Sequence, residues 1–268
     1  MKIKLSLAIL LGIFVLGPMT ASGPGRLLSD LPLQTQPAFK VGELLSFRIY
    51  YGVVTAGRAT LEITDGGKYD GKPTYHMTGL GWTTGMTDWF FRVRDRYETY
   101  VLRDKLLPVR FVRDIDEGGY TKQRDIYFNR ELNTATDRLP KPPKRFDVPA
   151  DVHDMMSAFY FARSLQTQNL LPGDEIPIKI FLDYEVFETR LKFKGRETIK
   201  TDLGRIPTMV FTPLVQADRV FKEQEGMTLY ISDDFNKIPV RIQTDLRVGS
   251  IKVDITDAQN LRYPLRKL

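Results

Sequence analysis

Apolar and polar residues alternate with a period of two in several parts of the chain. Ile176, Ile178, Ile180 and Leu182 alternate with Pro177, Lys179, Phe181 and Asp183. Ile238, Val240, Ile242, Thr244, Leu246 and Val248 alternate with Pro239, Arg241, Gln243, Asp245 and Arg247. After Gly249-Ser250 the pattern resumes at Ile251, Val253 and Ile255, which predicts an antiparallel hairpin with one wet face. In the first half, Leu45, Phe47, Ile49 and Tyr51 alternate with Ser46, Arg48 and Tyr50, and residues 58–63, 97–102, 109–115 and 120–128 also read as strands. One segment has a helical pattern instead. Asp151 is its expected N-cap, and it runs to about Gln168 before Leu170-Leu171-Pro172-Gly173 stops it. Val152, Met155, Met156, Phe159, Tyr160 and Ala162 cover much of its circumference, so it should be buried against a sheet. Ahead of it, the prolines of Leu139–Arg145 predict an extended link.

The two halves match at a constant offset. Gly42 corresponds to Gly173 (173 − 42 = 131), and Leu107-Pro108-Val109-Arg110-Phe111 corresponds to Ile238-Pro239-Val240-Arg241-Ile242 (239 − 108 = 131). Asp114 pairs with Asp245, and Gly118-Gly119 with Gly249-Ser250, at the same spacing. The expected fold is mainly β: an antiparallel curved sheet or open half-barrel, built from two related β units with one central buried helix. Its expected organisation is a signal peptide over 1–22, a flexible mature start over 23–38 and a single β domain over 39–268. Within that domain, 39–137 is the first unit, 138–170 the proline-rich link and helix, and 171–257 the second unit.

The start of the chain reads as an address. Lys2 and Lys4 precede an apolar run from Leu5 to Leu16, and Gly17-Pro18 and Thr20-Ala21-Ser22-Gly23 supply an exit and small residues. The run falls short of the roughly twenty residues of a membrane-spanning helix, and no later stretch reaches that length, so no transmembrane segment is expected in the mature chain. The net charge of +6 drops to 6 − 2 = +4 once Lys2 and Lys4 are removed, with both signs interspersed. No nucleic-acid partner is expected from that balance. Cysteine is absent and histidine occurs twice in 268 residues, which excludes disulfides, thiolate chemistry and Cys- or His-rich metal sites. No cofactor and no metal are expected.

Three further strings occur in order: Phe39-Lys40-Val41-Gly42-Glu43 leading into Tyr50-Tyr51-Gly52-Val53-Val54-Thr55-Ala56-Gly57, then Val152-His153-Asp154-Met155-Met156-Ser157-Ala158-Phe159-Tyr160, then Ile231-Ser232-Asp233-Asp234 before Ile238-Pro239-Val240-Arg241. Together they resemble the exported bacterial proteins grouped as domain of unknown function 3108, over about Phe39 to Asp257. The resemblance implies a Gram-negative envelope protein, periplasmic, without an established activity. In architecture such proteins are similar to the periplasmic lipoprotein carriers, whose half-barrel sheet holds acyl chains. That second step is an analogy of fold and assigns no site.

No catalytic constellation is found. His153-Asp154 reads as a helix start, since adjacent helix positions do not face each other, and Asp233-Asp234-Phe235-Asn236-Lys237 as a hairpin turn. The most unusual stretch is Gly81–Phe91, which holds both tryptophans. Its rings either fill space beneath the helix or line a pocket mouth or partner surface. The candidate ligand-binding residues are Trp82, Met86, Trp89, Phe90, Phe91, Arg92 and Arg94. The expected function is non-enzymatic binding or carriage of a lipid or other amphipathic envelope ligand. The alternative is an envelope interaction protein that engages a protein partner through the aromatic loop or a sheet edge. An enzyme acting on an envelope polymer has the least support.

Overall fold

The computed structural model describes residues 19–21, 25–217, 220–224, 226–246 and 249–268. The predicted signal peptide lies outside the described residues except for a short strand, β1 (Met19–Ala21). Six strands then form an antiparallel meander paired in chain order: β2 (Leu44–Tyr51), β3 (Val54–Tyr69), β4 (Lys72–Thr83), β5 (Val93–Leu102), β6 (Pro108–Glu117) and β7 (Tyr120–Asn129). The short strands β8 (Thr134–Asp137) and β9 (Lys144–Asp147) extend it. β9 occupies part of the proline-rich segment that the sequence predicts as a link.

The second unit repeats the plan. β10 (Glu175–Leu182), β11 (Glu185–Thr201), β12 (Gly204–Ala217), β14 (Met227–Ser232), β15 (Pro239–Asp245) and β16 (Ser250–Gln259) pair in that order. β13 (Val220–Gln224) adds to the end of β12 and pairs in turn with β1. Strand starts keep the sequence offset: β2 to β10 (175 − 44), β3 to β11 (185 − 54) and β6 to β15 (239 − 108) are each 131 residues apart. β16 pairs with β2, so the two meanders are one continuous antiparallel sheet. Asp70-Gly71 and Gly118-Gly119 have positive φ at both positions, the backbone that tight two-residue hairpins require.

Among the described residues this sheet does not close through backbone pairing. β10 and β9, from opposite ends of the strand order, meet through side chains instead. Phe146 of β9 packs on Phe181 of β10 at 5.7 Å and stacks on Tyr184, just past β10, at 4.7 Å, and the Tyr184 hydroxyl donates to Asp137 of β8 at 2.8 Å. The outer edge of β10 is covered by other chain. Leu28 N donates to Glu175 O, Glu175 N to Arg26 O, His153 N to Lys179 O, and Phe181 N to His153 O. Those bonds occupy backbone groups that an open edge would offer to another chain. Residues 25–38 therefore differ from the flexible start expected for 23–38. Arg26 makes two bonds to Asp174, and Leu33 bridges Leu165.

Among the described residues there are two short helices where the sequence predicts one. α1 (Gly85–Phe90) interrupts the β4–β5 connection. α2 (Met155–Ser164) is the predicted buried helix, but it is shorter than 151–168. Its N-cap is Asp154 rather than Asp151. The Asp154 carboxylate accepts from Met156 N and Ser157 N, and Ser157 Oγ accepts from Asp154 N, forming a capping box. The helix cannot start earlier because His153 spends its backbone groups on β10. It cannot run later because Gln166 N donates to Pro32 O. Among the described residues no helix is long and apolar enough to cross a membrane.

Candidate functional site

α2 divides the space that the sheet faces. On one side Tyr160 meets Phe39 edge-on at 5.1 Å, and Phe39 meets Tyr75 of β4 at 5.3 Å, so aromatic rings pack α2 against the first unit. On the other side Met155, Ala158, Phe159 and Ala162 follow the i, i+3, i+4, i+7 spacing of one helix face. Two of the four are alanines, so that face is shallow. Opposite it stand Ile176, Ile178 and Ile180 of β10, placed on one face by the two-residue period of a strand. Met209 and Phe211 of β12 and Leu229 and Ile231 of β14 complete the wall. The result is an open-mouthed apolar cavity between α2 and the second unit. Its volume is about 110 Å³.

Its polar groups are few. Arg163, Thr167 and Lys237 lie toward one end, and Glu188 and Thr189 toward the other. Thr189 pairs with Val215, and Ser232, near Lys237, pairs with Thr208. Seven residues along β12 at roughly 3.3 Å each separate the two ends by roughly 23 Å. The Arg163 guanidinium donates to Glu43 Oε1 at 2.6 Å and Oε2 at 2.9 Å, and to Asn236 O at 3.0 and 3.2 Å. Burial works against that guanidinium, but the Glu43 charge and hydrogen bonds outweigh it and hold its pKa above the ordinary arginine value. Lys237 is 3% exposed, and its Nζ has no hydrogen-bond partner. Burial pushes that ammonium down to about 8; Asp234 and Asp233 oppose the shift and Arg163 adds to it.

The acidic segments behave as turn and cap. Asp154 also accepts from the Thr99 hydroxyl at 2.7 Å, and burial raises its pKa despite these donors. Asp234 Oδ1 accepts from Ser232 Oγ and from the backbone N–H groups of Asn236 and Lys237, closing the β14–β15 turn. Among the described residues no three His, Asp or Glu side chains group so as to hold a metal ion.

None of the seven residues singled out from the sequence lines this cavity. They stay together in the β4–α1–β5 connection. Trp82 is half-buried on β4, while Met86, Trp89 and Phe90 on α1 are 76%, 86% and 80% exposed. Phe91 is half-buried, and a side chain at Gly118 would strike its ring. Arg92 and Arg94 are exposed. Arg94 makes two bonds to Asp88, and with the Thr83 hydroxyl it holds that carboxyl down to about 2. Of the two readings of these rings, the one that has them fill space beneath the helix fails for Trp89, which is exposed on α1. Trp89→Ala should therefore change stability by no more than about 0.5 kcal/mol, as a shift in urea midpoint would read it. A loss of several kcal/mol would place the ring in the core.

The cavity face was missed because sequence patterning sees α2 as apolar all round. The available signal was the pair of alanines, Ala158 and Ala162, on one stripe opposite the isoleucines of β10.

A family model described as protein of unknown function (DUF3108) matches residues 46–256. Among solved structures, a β-barrel-like protein of domain of unknown function DUF1849 from Brucella abortus is similar with a TM-score of 0.51. It is 11% identical and covers 81% of this chain and 97% of that one, a likeness of fold. A proposed lipoprotein from Parabacteroides distasonis (TM-score 0.37, 11% identity, 84% and 100% covered) is more distant. So is a proposed exported protein with a YmcC-like fold from Bacteroides fragilis (0.36, 8%, 85% and 100%). No curated protein matches.

Proposed function

The chain belongs to the DUF3108 family, whose members are of unknown function, and we propose that it binds or carries an apolar or amphipathic ligand of the cell envelope without catalysing a reaction. The cavity between α2 and the second unit carries this reading. Its walls are mostly apolar, with a few polar residues toward the two ends, and ligand sites are characteristically concave, apolar and sparing in polar groups. The cause is a mismatch of sizes. The ten residues of α2 span only about 15 Å, too little to cover both meanders, and Ala158 and Ala162 leave its face toward the second unit shallow. Export to the periplasm, which the N-terminal sequence pattern supports, would place the cavity where envelope lipids are handled.

The test is native mass spectrometry of gently purified mature protein, paired with mass spectrometry of its organic extract. A reproducible, stoichiometric lipid-like adduct is the expected result. Ala162→Phe, at a half-buried position on the cavity wall, should cut adduct occupancy at least tenfold while leaving the thermal midpoint within about 3 °C. A clean protein mass with no uptake from envelope lipid extracts would overturn the reading. A second reading, an envelope interaction protein, is favoured by the exposure of Met86, Trp89 and Phe90 on one six-residue helix. It would gain if Trp89→Ala abolished association with an envelope component while the cavity took up nothing.

A further inference from the structure

We propose that the occupant of this cavity carries an anionic head, a carboxylate or a phosphate, and that the Lys237 ammonium is the group that receives it; this rests on the cavity being the ligand site. Several buried side-chain nitrogens and oxygens of the described residues have no hydrogen-bond partner, and of these only Lys237 Nζ belongs to a residue lining the cavity. A buried cation without a partner is unfavourable, and an anion brought within reach relieves it. The second cation on the wall, Arg163, already has a counter-ion: Glu43 holds its guanidinium with two bonds, and Asn236 O takes two more of its five N–H groups.

The neighbouring carboxylates leave Lys237 available. Asp233 pairs with Arg196 at 3.2 Å, and Asp234 is used by Ser232, Asn236, the Lys237 backbone and Arg266 N. They favour the charged form of the lysine without bonding its Nζ. The Lys237 backbone is pinned in the turn at φ +46° by its N–H bond to Asp234, and its buried side chain borders the cavity. Orientation follows from charge. Glu188, at the far end, is a carboxylate already paired with Arg190 at 3.2 Å and offers an anion no donor, so the head belongs at the Lys237 end and the chain runs toward β11.

Decanoate, decyl phosphate and decanol test this, titrated against the full mature protein and its Lys237→Met variant by isothermal calorimetry. The wild type should bind both anions at least tenfold more tightly than decanol. Lys237→Met should weaken both anions at least tenfold and leave decanol within twofold. The tighter of the two anions tells a carboxylate ligand from a phosphate one. Equal binding of decanol and the anions, or equal weakening of all three by the variant, would overturn the head assignment alone. Failure of all three probes to bind would overturn the cavity reading, and the head assignment with it. If Lys237→Met does not fold, Lys237→Gln carries the same comparison.

Discussion

Glu43→Gln should destabilise the protein by about 3–5 kcal/mol, the usual cost of removing one partner from a buried ion pair. Glu43 and Arg163 are both buried, and the substitution keeps the shape of the side chain while leaving the guanidinium charge uncompensated. The loss should be large because three parts of the fold meet there. Glu43 leads into β2 and accepts, through its carbonyl, from Ile63 N. Arg163 is in the last turn of α2, and Asn236 lies in the β14–β15 turn, where it also exchanges hydrogen bonds with the Tyr263 backbone. Urea unfolding should show a lower midpoint at an unchanged slope. Glu43→Gln combined with Arg163→Met should recover much of the loss, since it removes the stranded charge as well as the pair. A single-variant loss below about 1 kcal/mol would mean the pair does not hold α2 in place.

The second large effect depends on pH. Burial, helped by Arg130 and opposed by Asp151, pushes the His153 imidazole down to about 3 from an ordinary value of 6.5. In the unfolded chain that imidazole takes a proton as pH falls through 6.5; in the folded protein it does not. The stabilisation is therefore fully present above pH 6.5 and is lost as pH falls toward 3. The difference in proton binding amounts to about 2 kcal/mol by pH 5. Asp154 works in the opposite direction, because its raised pKa favours the folded protein as it protonates. Comparison with His153→Leu isolates the imidazole, since Asp154 is common to both proteins. Between pH 7 and 5 the stability of the wild type should fall by about 2 kcal/mol more than that of the variant. Parallel curves would mean that the imidazole is charged in the folded state.

The strands could be read from local order. Each hairpin needs only an alternating pattern and a turn that permits positive φ, and both are properties of neighbouring residues. The 131-residue offset carried that reading further, because β2 and β10, β3 and β11, and β6 and β15 begin at corresponding positions. The turn role of Asp233-Asp234 and the helix-start role of Asp154 were legible for the same reason: short polar side chains bond backbone a few residues away. The helix ends were not legible. Asp151 and Asp154 are both acceptable caps, and the choice was made by β10, whose free backbone groups captured His153. The candidate site was missed for a related cause. Aromatic and basic composition drew attention to Trp89 and its neighbours, but composition does not say which face of the sheet a loop meets. Tertiary packing put Phe39, Tyr75 and Tyr160 on one side of α2 and left Ala158 and Ala162 facing the other. Sequence by itself determined the strands, their turns and the repeat, because these rest on contacts between near neighbours. Only the tertiary structure decided where the cavity lies and which lysine borders it, because volume and charge at that point come from five strands and a helix far apart in the chain.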